Sequence, residues 1–296
     1  MEATIVILIV LLLVELYGIK FQSQPNELLS QKQTNVLRGG CCFPVIFCHF
    51  YEPYSNNLQV TIGRYAYIAV TLFFIFSAYG LEVRVKRKED YLDHFLVKRF
   101  TAILIPYILS SLIRLMFGVD LTYGGASFVH VLIIYYIIFY FVHIKIKNTK
   151  KREYVLLLFT LCYSIGGFFW GYKFRLPKIG LNWYQEALGL TIGVFIAYHY
   201  EKMNRFFKNR VIVKLALWIP AAVFLKYTFD MYISNGYIQE YKFLCNYIYR
   251  MAAAVSVIVV IMLLFSHFSL GNYVSRQLGK ISFEIFCIMV FIFSFC

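Results

Sequence analysis

Residues 37–50 read Leu37-Arg38-Gly39-Gly40-Cys41-Cys42-Phe43-Pro44-Val45-Ile46-Phe47-Cys48-His49-Phe50, an apolar run carrying one guanidinium and one imidazole. On a helix an eleven-residue step is about three full turns, so Arg38 and His49 face the same way, roughly 16 Å apart along the axis. Arg38 is a permanent cation suited to phosphate, and His49 can move a proton near neutral pH. Inserting an arginine into lipid costs about 3 kcal/mol, so such a pair reads as functional. The alternative is an arginine at the membrane surface and an unrelated histidine at a helix end.

The surrounding chain is that of a membrane protein. Of its 296 residues 60% are hydrophobic and 15% charged, and mean hydropathy is +0.67. A soluble domain of this length has no use for so much apolar surface. Apolar segments recur at 3–19, 37–53, 65–83, 100–118, 125–145, 154–171, 182–200, 211–233, 245–266 and 279–296. Each is near the ~20 residues a bilayer needs. The fold class is therefore all-α, a polytopic transmembrane bundle of about ten helices, forming a single integral-membrane domain over residues 1–296. The first segment follows an acidic Met1-Glu2 leader and precedes no small-residue cleavage site. It reads as a retained anchor rather than a signal peptide. The last segment runs apolar to Cys296 without a polar tail, which reads as a truncation.

Lysine and arginine set the orientation. One set of alternate loops holds about twenty of them, including Arg84, Lys86, Arg87, Lys98, Arg99, Lys150 to Arg152 and Lys280; the other holds five, Arg64, Lys173, Arg175, Lys178 and Lys242. The first set is expected in the cytoplasm, with both termini outside a cell membrane. Arg38 then lies at the cytoplasmic mouth and His49 near the outer end of its helix. Cytoplasmic loops are basic by default, so the formal charge of +14 implies no nucleic-acid partner. The seven cysteines form no CxxC pair and no spacing with histidine that would hold zinc, so neither a disulfide framework nor a metal site is expected.

A phosphate-bearing donor entering from the cytoplasm can be gripped by Arg38, helped by Lys98 and Arg99. Coenzyme A suits this layout, because it carries phosphates at one end and a thioester on a long flexible arm. His49 can act as general base on an acceptor hydroxyl or accept the acyl group itself. Glu52, three residues on in the same helix, is close enough to orient the imidazole or share its proton; a solvated carboxylate at a helix end is the other reading. Ser77 is either a substrate-binding residue or bonds back to its own helix, the usual fate of a lone serine. Trp183 and Glu186 can hold a sugar by stacking and a carboxylate, or belong to an aromatic interfacial belt. Arg114 and Arg250 read as snorkelling cations, and Lys226 and Asp230 as an i, i+4 pair. His130, His143, His199 and His267 read as isolated, and His94 as part of a charged loop.

Together these stretches resemble acyltransferase family 3, polytopic membrane O-acyltransferases that modify cell-envelope carbohydrates. The Arg38-to-His49 spacing is similar to that family's Arg-(ten residues)-His pattern. Phe73-Phe74-Ile75-Phe76-Ser77-Ala78-Tyr79-Gly80-Leu81 resembles its Phe-Phe-x-x-Ser-Gly-Tyr/Phe segment. Lys98-Arg99 before Ile105-Pro106-Tyr107, Asn182-Trp183-Tyr184 before Gly193, and Leu278-Gly279-Lys280-Ile281-Ser282-Phe283-Glu284-Ile285 follow in the family's order. The resemblance implies an acyl-CoA donor, usually acetyl-CoA, no metal, and a carbohydrate or lipid-linked glycan acceptor. It makes His49 the catalytic histidine and Arg38 its partner. Three positions depart from the pattern. Ala78 stands for a glycine, Ile103 for the second arginine of an Arg-x-x-x-Arg pair, and Met289 near the place of a histidine. Two other functions compete with the enzyme: a transporter or flippase, and a catalytically degenerate family member. The absence of an internal repeat and of frequent Gly-Pro breaks argues against the transporter.

Overall fold

A computed structural model describes residues 2–22, 27–49, 56–116, 128–174, 184–235, 242–269 and 272–292. Its helices are α1 (Glu2–Leu16), α2 (Gln31–Cys48), α3 (Asn57–Gly63), α4 (Ala66–Arg87), α5 (Phe95–Met116), α6 (Phe128–Lys145), α7 (Thr149–Phe174), α8 (Leu188–Tyr198), α9 (Tyr200–Lys208), α10 (Val211–Asn235), α11 (Lys242–His267), α12 (Tyr273–Lys280) and α13 (Ser282–Ile292). Among the described residues, six helical stretches are long and apolar enough to cross a membrane, the most enclosed being Asn57–Arg87. The chain is an all-α membrane bundle. Lipid leaves no water for the backbone, so each apolar run closes its hydrogen bonds within itself as a helix.

α4 is the central helix. Its residues Phe74, Ile75 and Ala78 are 0% exposed, as expected of a helix that is apolar on every side. It packs against α8, α2 and α11, and glycines set two of the approaches in the bundle. A Cβ at Gly189 would lie 2.5 Å from the Thr71 carbonyl, and one at Gly193 would lie 2.5 Å from that of Ile75 and 2.9 Å from the Ala78 Cβ. Small residues four apart let helix backbones meet in this way. The alanine at position 78 is therefore accommodated by the glycine opposite it. α2 crosses α12 similarly: a Cβ at Gly39 would meet the Ser275 carbonyl at 2.7 Å, and one at Gly279 would overlap the Asn35 carbonyl at 1.6 Å.

Three segment boundaries differ from the sequence reading. The second helix is not 37–53 but Gln31–Cys48, with His49 as its C-cap. Its polar first turns look like loop by hydropathy. They are helical because the Ser30 side chain accepts from the Gln33 N–H and the Gln33 side chain donates to the Phe265 carbonyl at 2.9 Å, a contact invisible to local pattern. The seventh segment is shorter than 182–200, with α8 starting at Leu188 and a separate α9 following. The last segment begins earlier than 279 and divides into α12 and α13 at Ile281. Two short strands, Lys20–Phe21 and Phe268–Ser269, pair antiparallel and tie the segment after α1 to the end of α11.

Gly279→Ala is expected to destabilise the protein by about 3 kcal/mol, the upper end of overpacking costs, read as a lower melting temperature in detergent. Gly166→Ala, whose added methyl meets nothing within 4 Å, should leave melting unchanged or raise it slightly.

Candidate active site

Arg38 lies two turns inside α2, where the helix faces α4. Its guanidinium sits over the rings of Phe73 at 5.5 Å and Phe76 at 6.0 Å, a cation–π setting suited to a group removed from water. Its Nε is buried and has no hydrogen-bond partner among the described residues. Two adjoining cavities open there, of about 410 Å³ and 240 Å³. Both are lined by Arg38, Phe76, Gly80 and Arg84. Gly80 has open space where a side chain would stand, which widens the junction.

The smaller cavity gathers Arg38, Arg84, Arg99 and Lys280 with the single carboxylate Glu284. None of the four cations forms an ion pair among the described residues. Arg99 is held by a hydrogen bond that it donates to the Tyr91 hydroxyl, and lies near the rings of Tyr91, Phe95 and Tyr136 at 5.7 to 5.9 Å. Ile103, one turn further along α5, lines the same cavity. Lys98 does not: its ammonium is exposed and reaches back to the Asp93 carbonyl at 3.4 Å. Ser77 lines the cavity, while its hydroxyl donates to the Phe73 carbonyl at 2.8 Å.

His49 stands at the other end of α2, where its backbone N–H donates to the Ile46 carbonyl. Gly63 packs on the backbone of Cys48 beside it, a Cβ there falling 2.8 Å from the Cys48 Cα. Because the helix ends at Cys48, the i, i+3 argument for Glu52 loses its basis; Glu52 itself lies outside the described residues, as does Trp183.

Glu186 is 1% exposed and pairs with Arg250 at 2.5 Å, whose guanidinium lies 4.7 Å from the Tyr67 ring centroid. Arg250 is thus an ion-pair partner, not a snorkelling cation. Lys226 is buried with its ammonium 4.6 Å from the Tyr65 ring centroid; the side chains of Asp230 and Arg114 lie outside the described residues. Tyr184 stacks on Tyr247 at 6.0 Å, and Ser164 joins them, donating to the Tyr184 carbonyl and hydrogen-bonding the Tyr247 hydroxyl, both at 2.6 Å.

Two histidines that read as isolated have carboxylate partners. His143 Nε2 lies 3.4 Å from Glu82, both side chains 1% exposed, and its Nδ1 is 2.9 Å from the Phe139 carbonyl. A carbonyl only accepts, so Nδ1 carries a proton there. His199 Nε2 lies 2.8 Å from Glu153. Glu82 is on α4 and its partner comes from α6, beyond the reach of any local pattern.

Fold and site define a polytopic helical membrane protein with a cationic cavity beneath an arginine-bearing helix. A family model described as an acyltransferase domain matches residues 32–296, and the chain belongs to that family, acyltransferase family 3. No curated protein and no solved structure matches the chain.

Arg250→Ala leaves the buried Glu186 carboxylate uncompensated and is expected to cost about 3–5 kcal/mol. Replacing both partners, as Arg250→Met with Glu186→Leu, should recover most of that loss in detergent melting.

Proposed function

We propose that this membrane acyltransferase moves an acyl group, usually acetyl, from acyl-coenzyme A to a hydroxyl of a cell-surface polysaccharide or its lipid-linked precursor. The observation that carries the reading is the cluster of cations around Arg38, without ion-pair partners among the described residues, on the same helix as His49. A site with four cations and one carboxylate calls for a polyanionic ligand, and the diphosphate of coenzyme A supplies one. The excess of lysine and arginine at this end supports an orientation in which it faces the cytoplasm, with both termini on the outer side of the cell membrane.

In this reading Arg38 and Arg99 hold the donor phosphates and the flexible arm passes along α2 past Ser77 towards His49. His49 takes the proton of the acceptor hydroxyl as the new C–O bond forms and the C–S bond breaks. The leaving thiolate then takes up that proton. Glu186, whose Oε2 is buried without a hydrogen-bond partner among the described residues, can accept from a sugar hydroxyl, with Trp183 close by in sequence as a stacking face.

With purified protein, radiolabelled acetyl-coenzyme A and a lipid extract of the native host, label should pass to an extract component. His49→Ala should abolish transfer without changing melting, and Arg38→Ala should weaken donor binding by about 1.5–3 kcal/mol. Donor binding without transfer would identify a degenerate member of the family. Neither binding nor transfer would overturn the coenzyme A reading and favour a transporter.

A further inference from the structure

Arg84 belongs, by sequence, to an ordinary basic segment after an apolar helix, and no motif singles it out. The structure gives it a distinct position. Among the described residues, only Arg38, Phe76, Gly80 and Arg84 line both cavities, so Arg84 and Arg38 are the two cations at the junction. Each lobe beyond that junction has its own character. The larger continues past Lys86 and Arg87 to Tyr79 and Tyr200, whose rings stack at 6.3 Å. The smaller runs along α4 to Ser77 and Phe73 and is walled by Ile103 and Leu132.

Ile103 lines the smaller cavity together with Arg84. Ile103 is 5% exposed and stands one turn after Arg99, where the family pattern carries its second arginine. The guanidinium missing from α5 is matched by one projecting from α4 into the same cavity. Arg84 forms no ion pair among the described residues, so its charge is open to a ligand.

We propose that Arg84 is a donor-binding residue that takes over the role of the arginine absent at position 103, holding the diphosphate at the junction of the two lobes. The assignment rests on the coenzyme A reading above. The phosphorylated nucleotide then occupies the larger lobe, against Lys86, Arg87 and the tyrosine pair, and the pantetheine arm follows the smaller lobe past Ser77. A planar fork binds two diphosphate oxygens at once, which an ammonium does not.

The test is equilibrium binding of acetyl-coenzyme A and of S-acetylpantetheine, which has the same arm and thioester but no phosphate, to purified protein. Arg84→Ala is expected to weaken acetyl-coenzyme A binding by about tenfold to a hundredfold, with S-acetylpantetheine binding and melting unchanged. Lys88→Ala removes an exposed cation that lines neither cavity and should change neither affinity. Adding Ile103→Arg to Arg84→Ala should restore at least part of the lost affinity. If Arg84→Ala fails to fold, Arg84→Gln carries the same expectation with less change of volume. Unchanged acetyl-coenzyme A affinity in these variants, or an equal loss for S-acetylpantetheine, would overturn the role of Arg84 alone. Failure of the wild type to bind acetyl-coenzyme A would overturn the donor reading and this assignment with it.

Discussion

A guanidinium inside an apolar bundle has to be solvated by protein, and the environment of Arg38 meets that demand. The rings of Phe73 and Phe76 take one side of the cation, while cavities reaching towards the basic helix ends take the other. Aromatic faces lower the cost of removing a cation from water without neutralising it. Its charge therefore remains available, and three further cations add to it. Mutual repulsion among them makes the cavity unfavourable when empty and favourable to an anion.

Holding this arrangement depends on close helix approach. α2 meets α12 at Gly39 and Gly279, and α4 meets α8 at Gly189 and Gly193. In a membrane there is little hydrophobic drive between helices, so backbone proximity and dispersion contacts supply much of the association. The alanine at position 78 shows that such a contact needs space on one partner only. Gly193 gives that space, so the family's glycine on α4 can be replaced without separating the helices.

Polar pairs complete the interior. Glu186 finds Arg250 sixty-four residues away, and Glu82 on α4 finds His143 on α6. The first ties the turn before α8 to α11, and the second ties α4 to α6. Such pairs leave no local trace, because a buried carboxylate and a surface one look alike in a hydropathy profile. His143 and Arg250 looked like a lone histidine and a snorkelling cation for that reason. The early start of α2 escaped hydropathy in the same way, since Gln33 is stabilised by a carbonyl on α11.

The order of helices, the membrane class and the presence of Arg38 and His49 on one segment were legible from sequence alone. Those features rest on interactions within about 20 residues, the length over which lipid forces a backbone to satisfy itself. The family's motifs were legible too, because they lie along single segments. Tertiary structure decided which helix faces meet, where the cavities open, that Arg84 rather than Lys98 joins Arg38, and which carboxylates are paired. These depend on the crossing and rotation of helices distant in sequence. Glycine contacts and buried polar pairs set those angles, and neither has a period that a single segment can display.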